Sequence, residues 1–371
     1  MIISFCSDIK QFHHDRLKDR NWSKLFLGSA WVTSLYERSK ELGVEVASGD
    51  ICIQKIQSGE WRASDVLVVQ EIDARHGIKL CGLGAVPFVL MVPETPMVAF
   101  RGIDKLRKSR QFFHNFIGPQ PIFESIAALK NTQYHPLFFP SYWATSQLEP
   151  VPWEQRKHTV LIAANKYWRE RKWNRVENAN DIWRALKQSV RKFKSKTYRE
   201  YKDLQLHDAR IDLLQSLGLR GEVDVYGRGW NDLSNLPKAQ LSKLQGLNSI
   251  FKGECDNKHE ILSQYRFTIA YENTAYSGFI TEKIVDAMVA RTVPIYLGAP
   301  DISTQIPPTA FIDARKFSSP EKLVEHLDSM TSSDAQEIIN AGQSYLKSLE
   351  GIRHTYEGFS DWIIRLAGKS V

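Results

Sequence analysis

The chain has 371 residues, 43% of them hydrophobic and 25% charged, a balance that excludes a disordered or low-complexity protein. Its formal charge is +7, but twelve Lys/Arg against three acidic residues from Lys166 to Arg199 put +9 into one segment, leaving the rest near neutral. The four cysteines include no C-x-x-C pair, which argues against a disulfide framework or zinc site and for reduced thiols in a cytosolic setting.

The start, Met1 to Asp8, turns polar too soon for the apolar segment of a signal peptide. Nowhere do about 18 apolar residues run together, as a membrane span requires. A cytoplasmic location is therefore expected. Ile2–Phe5 reads as a first strand, and Trp31–Leu42 as a helix closed by Gly43. The apolar runs from Asp65 to Val69 and from Val86 to Val92 suit buried parallel strands. Gly82-Leu83-Gly84 opens a dinucleotide-like pattern, but Pro87 stands where the third glycine belongs, so it reads as a turn. This alternation predicts an α/β fold. A polar, proline-bearing stretch from Ala144 to Lys157 divides it. Residues 1–150 form one domain, 151–350 a second, and 351–371 a helical tail.

The second half opens with a strand at Thr159–Asn165, followed by a basic insertion at about 167–205. Within it Trp183, Leu186, Val190 and Phe193 recur at helical spacing, with Asn180 or Asp181 as the cap. Two readings stand: the apolar stripe packs on the protein with its cationic face in water, or the helix rests on anionic lipid through 166–199. A nucleic-acid partner is not expected, because the segment carries no recognised binding module. A helix at Ala209–Leu217 and a strand at Val223–Tyr226 lead into Gly227-Arg228-Gly229-Trp230. A strand at Phe267–Tyr271, a helix at Glu282–Ala290 and a strand at Val293–Leu297 follow, with a helical region after Ser319. Two α/β domains with a cleft result, and ligands belong beyond the carboxyl ends of the strands.

The densest chemistry lies there. Strand Phe267–Tyr271 runs into Glu272-Asn273-Thr274, and Thr281 is placed to cap a helix with Glu282 and Lys283 in its first turn. A carboxylate suits a helix N-terminus, whereas the dipole disfavours a lysine. A lone lysine is usually solvated, but at a helix start in a cleft a bound diphosphate explains it. In the first domain, Pro93-Glu94-Thr95-Pro96 leaves Glu94 at a strand's carboxyl end, placed to take a proton. An exposed loop glutamate is the plainer reading, and Glu71 is a weaker competitor. Glu222-Val223-Asp224, within a strand, is the nearest approach to the Asp-x-Asp of metal-dependent sugar transfer, so no metal is expected. The ten histidines, His13-His14 included, show no ligand spacing.

Tyr271-Glu272-Asn273, Phe279-Ile280-Thr281-Glu282-Lys283-Ile284 and Val293-Pro294-Ile295-Tyr296-Leu297-Gly298-Ala299-Pro300 resemble the signature of the family 10 fucosyltransferases. The likeness continues through Ile306-Pro307-Pro308 and Phe311-Ile312-Asp313 and is patchy in the first half. It implies a GT-B fold of two Rossmann-like domains, with GDP-fucose as donor in the C-terminal one. Asn273, Tyr271, Gly227 and Glu282 would line the donor site, Glu282 suited to the ribose hydroxyls. Lys283 and Arg210 would meet the diphosphate. Phe279 stands where the family often has tyrosine, so a hydroxyl contact is lost. Glu94 would be the general base. The implied activity is an inverting transfer of L-fucose to an α-1,3 or α-1,4 position of a glycan acceptor. It would need no cofactor and would serve cell-surface polysaccharide, lipopolysaccharide or protein glycosylation. A different nucleotide sugar, or a nucleic-acid-binding protein using the basic segment, are the alternatives.

Overall fold

The computed structural model describes residues 1–23, 30–72, 74–107, 113–126, 129–142, 151–165, 179–233 and 236–368. Strands β1 (Ile2–Cys6), β2 (Glu45–Ser48), β3 (Val66–Glu71), β4 (Val86–Met91), β5 (Asn115–Ile117) and β6 (Gln133–His135) form a parallel sheet in the order β2-β1-β3-β4-β5-β6. Helices α1 (Trp31–Glu41), α2 (Gly49–Gln57), α3 (Arg75–Gly82) and α4 (Pro96–Leu106) connect it. Val66, Val68 and Val69 are all fully buried, which is why β3 reads as a continuous apolar run and not an alternating one. Gly43 follows α1 at φ +65°, a conformation that glycine adopts without strain.

The second sheet contains β7 (Lys157–Ile162), β8 (Val223–Tyr226), β9 (Phe251–Gly253), β10 (Tyr265–Tyr271), β11 (Val293–Leu297) and β12 (Ile312–Asp313), ordered β12-β11-β10-β7-β8-β9. The chain runs outward from β7 to β9, then restarts at β10 on the other side of β7. This reversal opens a crevice at the carboxyl ends of β7 and β10. The helices that follow include α5 (Ala179–Lys194), α6 (Lys196–Tyr201), α7 (His207–Gly218), α8 (Glu282–Val289), α9 (Pro320–Ser329), α10 (Ser332–Leu346) and α11 (Tyr356–Leu366). The two domains match the expected α/β architecture. The first half of the boundary stretch, 144–150, and the first part of the basic insertion lie outside the described residues.

Two elements depart from expectation. The tail is part of the first domain: α11 lies on α1, and Phe359, Trp362, Ile363 and Ile364 share a core with Trp31 and Leu35. Arg38 holds Asp361 at 2.7 Å across this contact. The α5 stripe is not packed: Trp183, Leu186, Val190 and Phe193 are 71, 41, 48 and 75% exposed. Helical periodicity finds an apolar face but not what covers it. Asn180 and Asp181 fall inside α5 and do not precede it.

His354 pins the returning chain. Its Nδ1 lies 3.0 Å from the Phe139 carbonyl and its Nε2 3.0 Å from the Tyr345 hydroxyl, so the neutral ring donates at one nitrogen and accepts at the other. Burial pushes its pKa down to about 4, against the pull of the carbonyl. The unfolded chain therefore takes up this proton first as pH falls, and stability declines between about pH 6.5 and pH 4, by roughly 3 kcal/mol in all. Urea midpoints of wild type and His354→Gln across that range check it. A wild-type profile no steeper than the variant's would refute the assignment.

Candidate active site

Strand β10 ends in a buried carboxylate. Glu272 is 0% exposed, and β10 delivers it at the switch point beside β7. Its oxygens accept from the Thr281 backbone N–H (2.7 Å), from the Thr281 hydroxyl (2.8 Å) and from Lys283 Nζ (3.0 Å). Lys283 also donates to Thr281 Oγ1 at 2.8 Å and lies 3.8 Å from Glu282. Space for this comes from Gly298, where a Cβ would fall 2.6 Å from Glu272 Cγ and 2.4 Å from the Tyr296 hydroxyl. Burial alone would lower the Lys283 pKa, but the charges of Glu272 and Glu282 outweigh it and the net shift is upward. The ammonium therefore stays charged at neutral pH.

Arg210, on α7 and only 2% exposed, reaches the same strand end from the other side. Its Nη2 donates to the carbonyls of Tyr271 (2.9 Å) and Glu272 (3.2 Å). Lys283 and Arg210 thus converge on residue 272, one through its side chain and one through its backbone. Burial pushes the Tyr271 hydroxyl pKa up, with Arg210 pulling the other way. Asn273 is half-buried, its carbonyl accepting from Leu206 N–H at 3.0 Å.

Some expected residues sit differently. Thr281 occupies the N-cap of α8 but makes no side-chain cap, because its hydroxyl is committed to Glu272. Phe279 is 3% exposed and packs with Tyr276 into the first domain's cluster of Leu90, Val92, Phe116 and Ile122. Its ring is structural here and offers no open face to a ligand. Gly227 has φ +131°, and a Cβ there would lie 2.4 Å from the Ala163 carbonyl, so only glycine fits the close approach of this turn to β7. Trp230 Nε1 donates to that same carbonyl at 2.7 Å. Gly227 lines an open pocket of about 860 Å³ with Trp230, Phe251 and Glu254; Lys283, Arg210 and Asn273 do not.

The first domain has a pocket of its own. Glu94 is exposed between β4 and α4 and lines a pocket of about 510 Å³ together with Glu71, Trp31, Arg101 and Phe139. Glu71, at the end of β3, accepts from the Ser7 hydroxyl at 2.5 Å. Burial raises its pKa, the Ser7 bond opposes this, and the charge of Glu94 adds to the rise. The two carboxylates share one pocket in different states of exposure. Val92, two residues before Glu94, belongs to the same apolar cluster as Phe279, two residues before Thr281. Gly278 also closes on Pro119, whose Cα would lie 3.2 Å from a Cβ there. The Glu94 loop and the Lys283 network therefore flank one interdomain contact.

His158, Glu222 and Asp328 also come within ligand distance of one another. Arg220 pairs with both carboxylates, at 2.9 and 2.6 Å, and supplies the cation there. Asp224 is taken up by the Tyr265 hydroxyl at 2.6 Å and by Lys157 and Lys252 at 3.3 and 3.2 Å.

Residues 187–338, which hold α7, the Glu272 network and β11, match the model of the glycosyltransferase family 10 (fucosyltransferase) C-terminal region. This segment is a family 10 domain. Its curated relatives include an α-(1,3)-fucosyltransferase of Helicobacter pylori, 31% identical over 28% of this chain and 22% of that protein. A human 3-galactosyl-N-acetylglucosaminide 4-α-L-fucosyltransferase is 32% identical over 39% of this chain and 34% of its own length. The chain thus spans about a fifth to a third of these relatives. In fold the family 10 domain and its partner resemble HepE of Anabaena, solved with UDP and glucose (TM-score 0.57, 10% identity, 99% of both chains). They also resemble an α1,3-fucosyltransferase solved with GDP-fucose (TM-score 0.50, 14% identity, 100% of this chain and 91% of that one). The fold is GT-B.

What sequence reasoning missed is the part played by Glu272. The available signals were its position directly after a seven-residue buried strand and the side-chain-free Gly298 at the end of the neighbouring strand.

Proposed function

We propose that the protein is an inverting fucosyltransferase that moves L-fucose from GDP-fucose to a glycan hydroxyl, in α-1,3 or α-1,4 linkage. The observation that carries this is the Glu272–Thr281–Lys283 network, inside the family 10 domain, across one interdomain contact from the Glu94 pocket. Glu94 takes the proton of the acceptor hydroxyl as its oxygen attacks the anomeric carbon. The bond from that carbon to the diphosphate oxygen breaks in the same step, so configuration inverts and GDP leaves. Lys283 and Arg210 stabilise the charge gathering on the leaving diphosphate. Glu282 serves the ribose, and Asn273 and Tyr271 complete the donor site at the end of β10. A preformed pair of cations supplies the role a divalent ion plays elsewhere, so turnover is expected without one.

Both cations are engaged by protein groups in the structure, Lys283 with a carboxylate and Arg210 with two carbonyls. A diphosphate would share them, through their remaining N–H donors. The setting this reading implies is polysaccharide or lipopolysaccharide synthesis at the cytoplasmic face of a membrane. Incubation with GDP-fucose, UDP-glucose and other nucleotide sugars on a glycan array, with and without EDTA, tests it. The expected product carries fucose with inverted anomeric configuration, in equal yield with EDTA. Transfer from another donor alone, or retention of configuration, would overturn it.

A further inference from the structure

A helix on a domain surface ordinarily turns its polar face outward. Helix α5 leaves its apolar residues open as well. Trp183, Leu186, Val190 and Phe193 stand 71, 41, 48 and 75% exposed, and at 100° per residue they fall within an arc of about 80°. Lys187, Arg191 and Lys194, all exposed, follow along one edge within about the next 80°. An open apolar stripe of this kind marks an interaction surface.

Charge selects the occupant. The segment that carries the stripe, Lys166 to Arg199, holds twelve cationic against three acidic residues in its sequence. A second copy would bring its own charge of the same sign to the contact, and like charges facing one another oppose association. An anionic lipid surface satisfies both faces at once: cations meet headgroups while aromatic and aliphatic side chains enter the acyl boundary. We propose that α5 lies in the plane of an anionic membrane surface, with Trp183, Leu186, Val190 and Phe193 buried in it.

The same insertion is tied to the acceptor pocket. Ser195 and Thr197, at the start of α6, donate to Asp104 of α4 at 2.6 and 2.7 Å. Arg107 donates to the Thr197 hydroxyl at 2.9 Å, and Phe100 of α4 meets Tyr198 of α6 edge-on at 5.5 Å. Helix α4 starts two residues after Glu94 and supplies Val98, Arg101 and Gly102 to its pocket. A membrane-bound α5 therefore fixes the pocket relative to the surface, as a lipid-linked glycan acceptor requires. That last step rests on the transferase reading; the lipid contact does not.

The test uses the full chain sedimented with phosphatidylcholine vesicles, with and without phosphatidylglycerol. Wild type is expected to pellet only with the anionic vesicles. Trp183→Ser/Phe193→Ser and Lys187→Gln/Arg191→Gln/Lys194→Gln are each expected to weaken partition about tenfold or more. Circular dichroism and transfer to a soluble oligosaccharide should be unchanged in the serine variant, since both side chains are exposed and outside the site. Its transfer to a vesicle-borne glycolipid should fall. No pelleting at low salt would overturn the proposal. So would pelleting indifferent to the serine pair, a dimer that the serine pair dissolves, or tighter binding to an oligonucleotide than to vesicles. Vesicle binding without transfer by any variant would instead count against the transferase reading alone.

Discussion

Lys283→Ala is expected to abolish transfer and also to cost stability, about 3–5 kcal/mol, because it strands a buried carboxylate without its counter-charge. Sequence reasoning expects an inactive variant that stays folded, since a lysine in a helix's first turn reads as a surface group. The structure changes that. Glu272 is 0% exposed and the Lys283 side chain only 16%, so the pair is a structural unit as well as a site. Glu272→Gln introduced with Lys283→Ala removes the stranded charge, and the double variant should recover most of the urea midpoint without recovering transfer. An unchanged midpoint in Lys283→Ala would show that the pair holds nothing together. Wild-type turnover by the double variant would remove Lys283 from the reaction.

The second large effect is kinetic. Glu94→Gln should lower kcat by about 10²- to 10⁴-fold, the usual contribution of a positioned general base. GDP-fucose affinity should hold within about twofold and stability within about 0.5 kcal/mol, because an exposed loop residue carries little of either. Glu71→Gln is the control. Its carboxyl is buried beside Ser7 with a raised pKa, so its loss should reshape the pH profile more than it lowers the maximum. If Glu71→Gln lost the activity and Glu94→Gln kept it, the two roles would be exchanged.

Much of this was legible because it is local. Continuous apolar runs marked β3, β4 and β10, since a strand covered on both faces has no polar alternation to show. The order of strands and helices gave the α/β class, and an ordered signature from Tyr271 to Asp313 gave the resemblance to family 10 that the match over residues 187–338 bears out. Glu94, Arg210, Asn273, Glu282 and Lys283 stood out as candidates because each lies at or near a strand end or a helix start. What could not be read is who meets whom. Phe279 looked like a donor-site position and is buried against the first domain. The α5 segment allowed two readings, a packed stripe or a lipid-facing helix, and the stripe is open.

The sequence by itself determined the alternation of strands and helices, the segment that carries the chemistry, and the residue types placed there, because those signals lie within a few residues of one another. Only the tertiary structure decided that Glu272 is the hub of the cations, that α5 turns its apolar face outward, and that α11 closes on α1. Two of these contacts join groups far apart in the chain: Arg210 and Glu272 are 62 residues apart, and Arg38 and Asp361 are 323 apart. Periodicity shows that a face must be covered, but which surface covers it is set by how the whole chain packs.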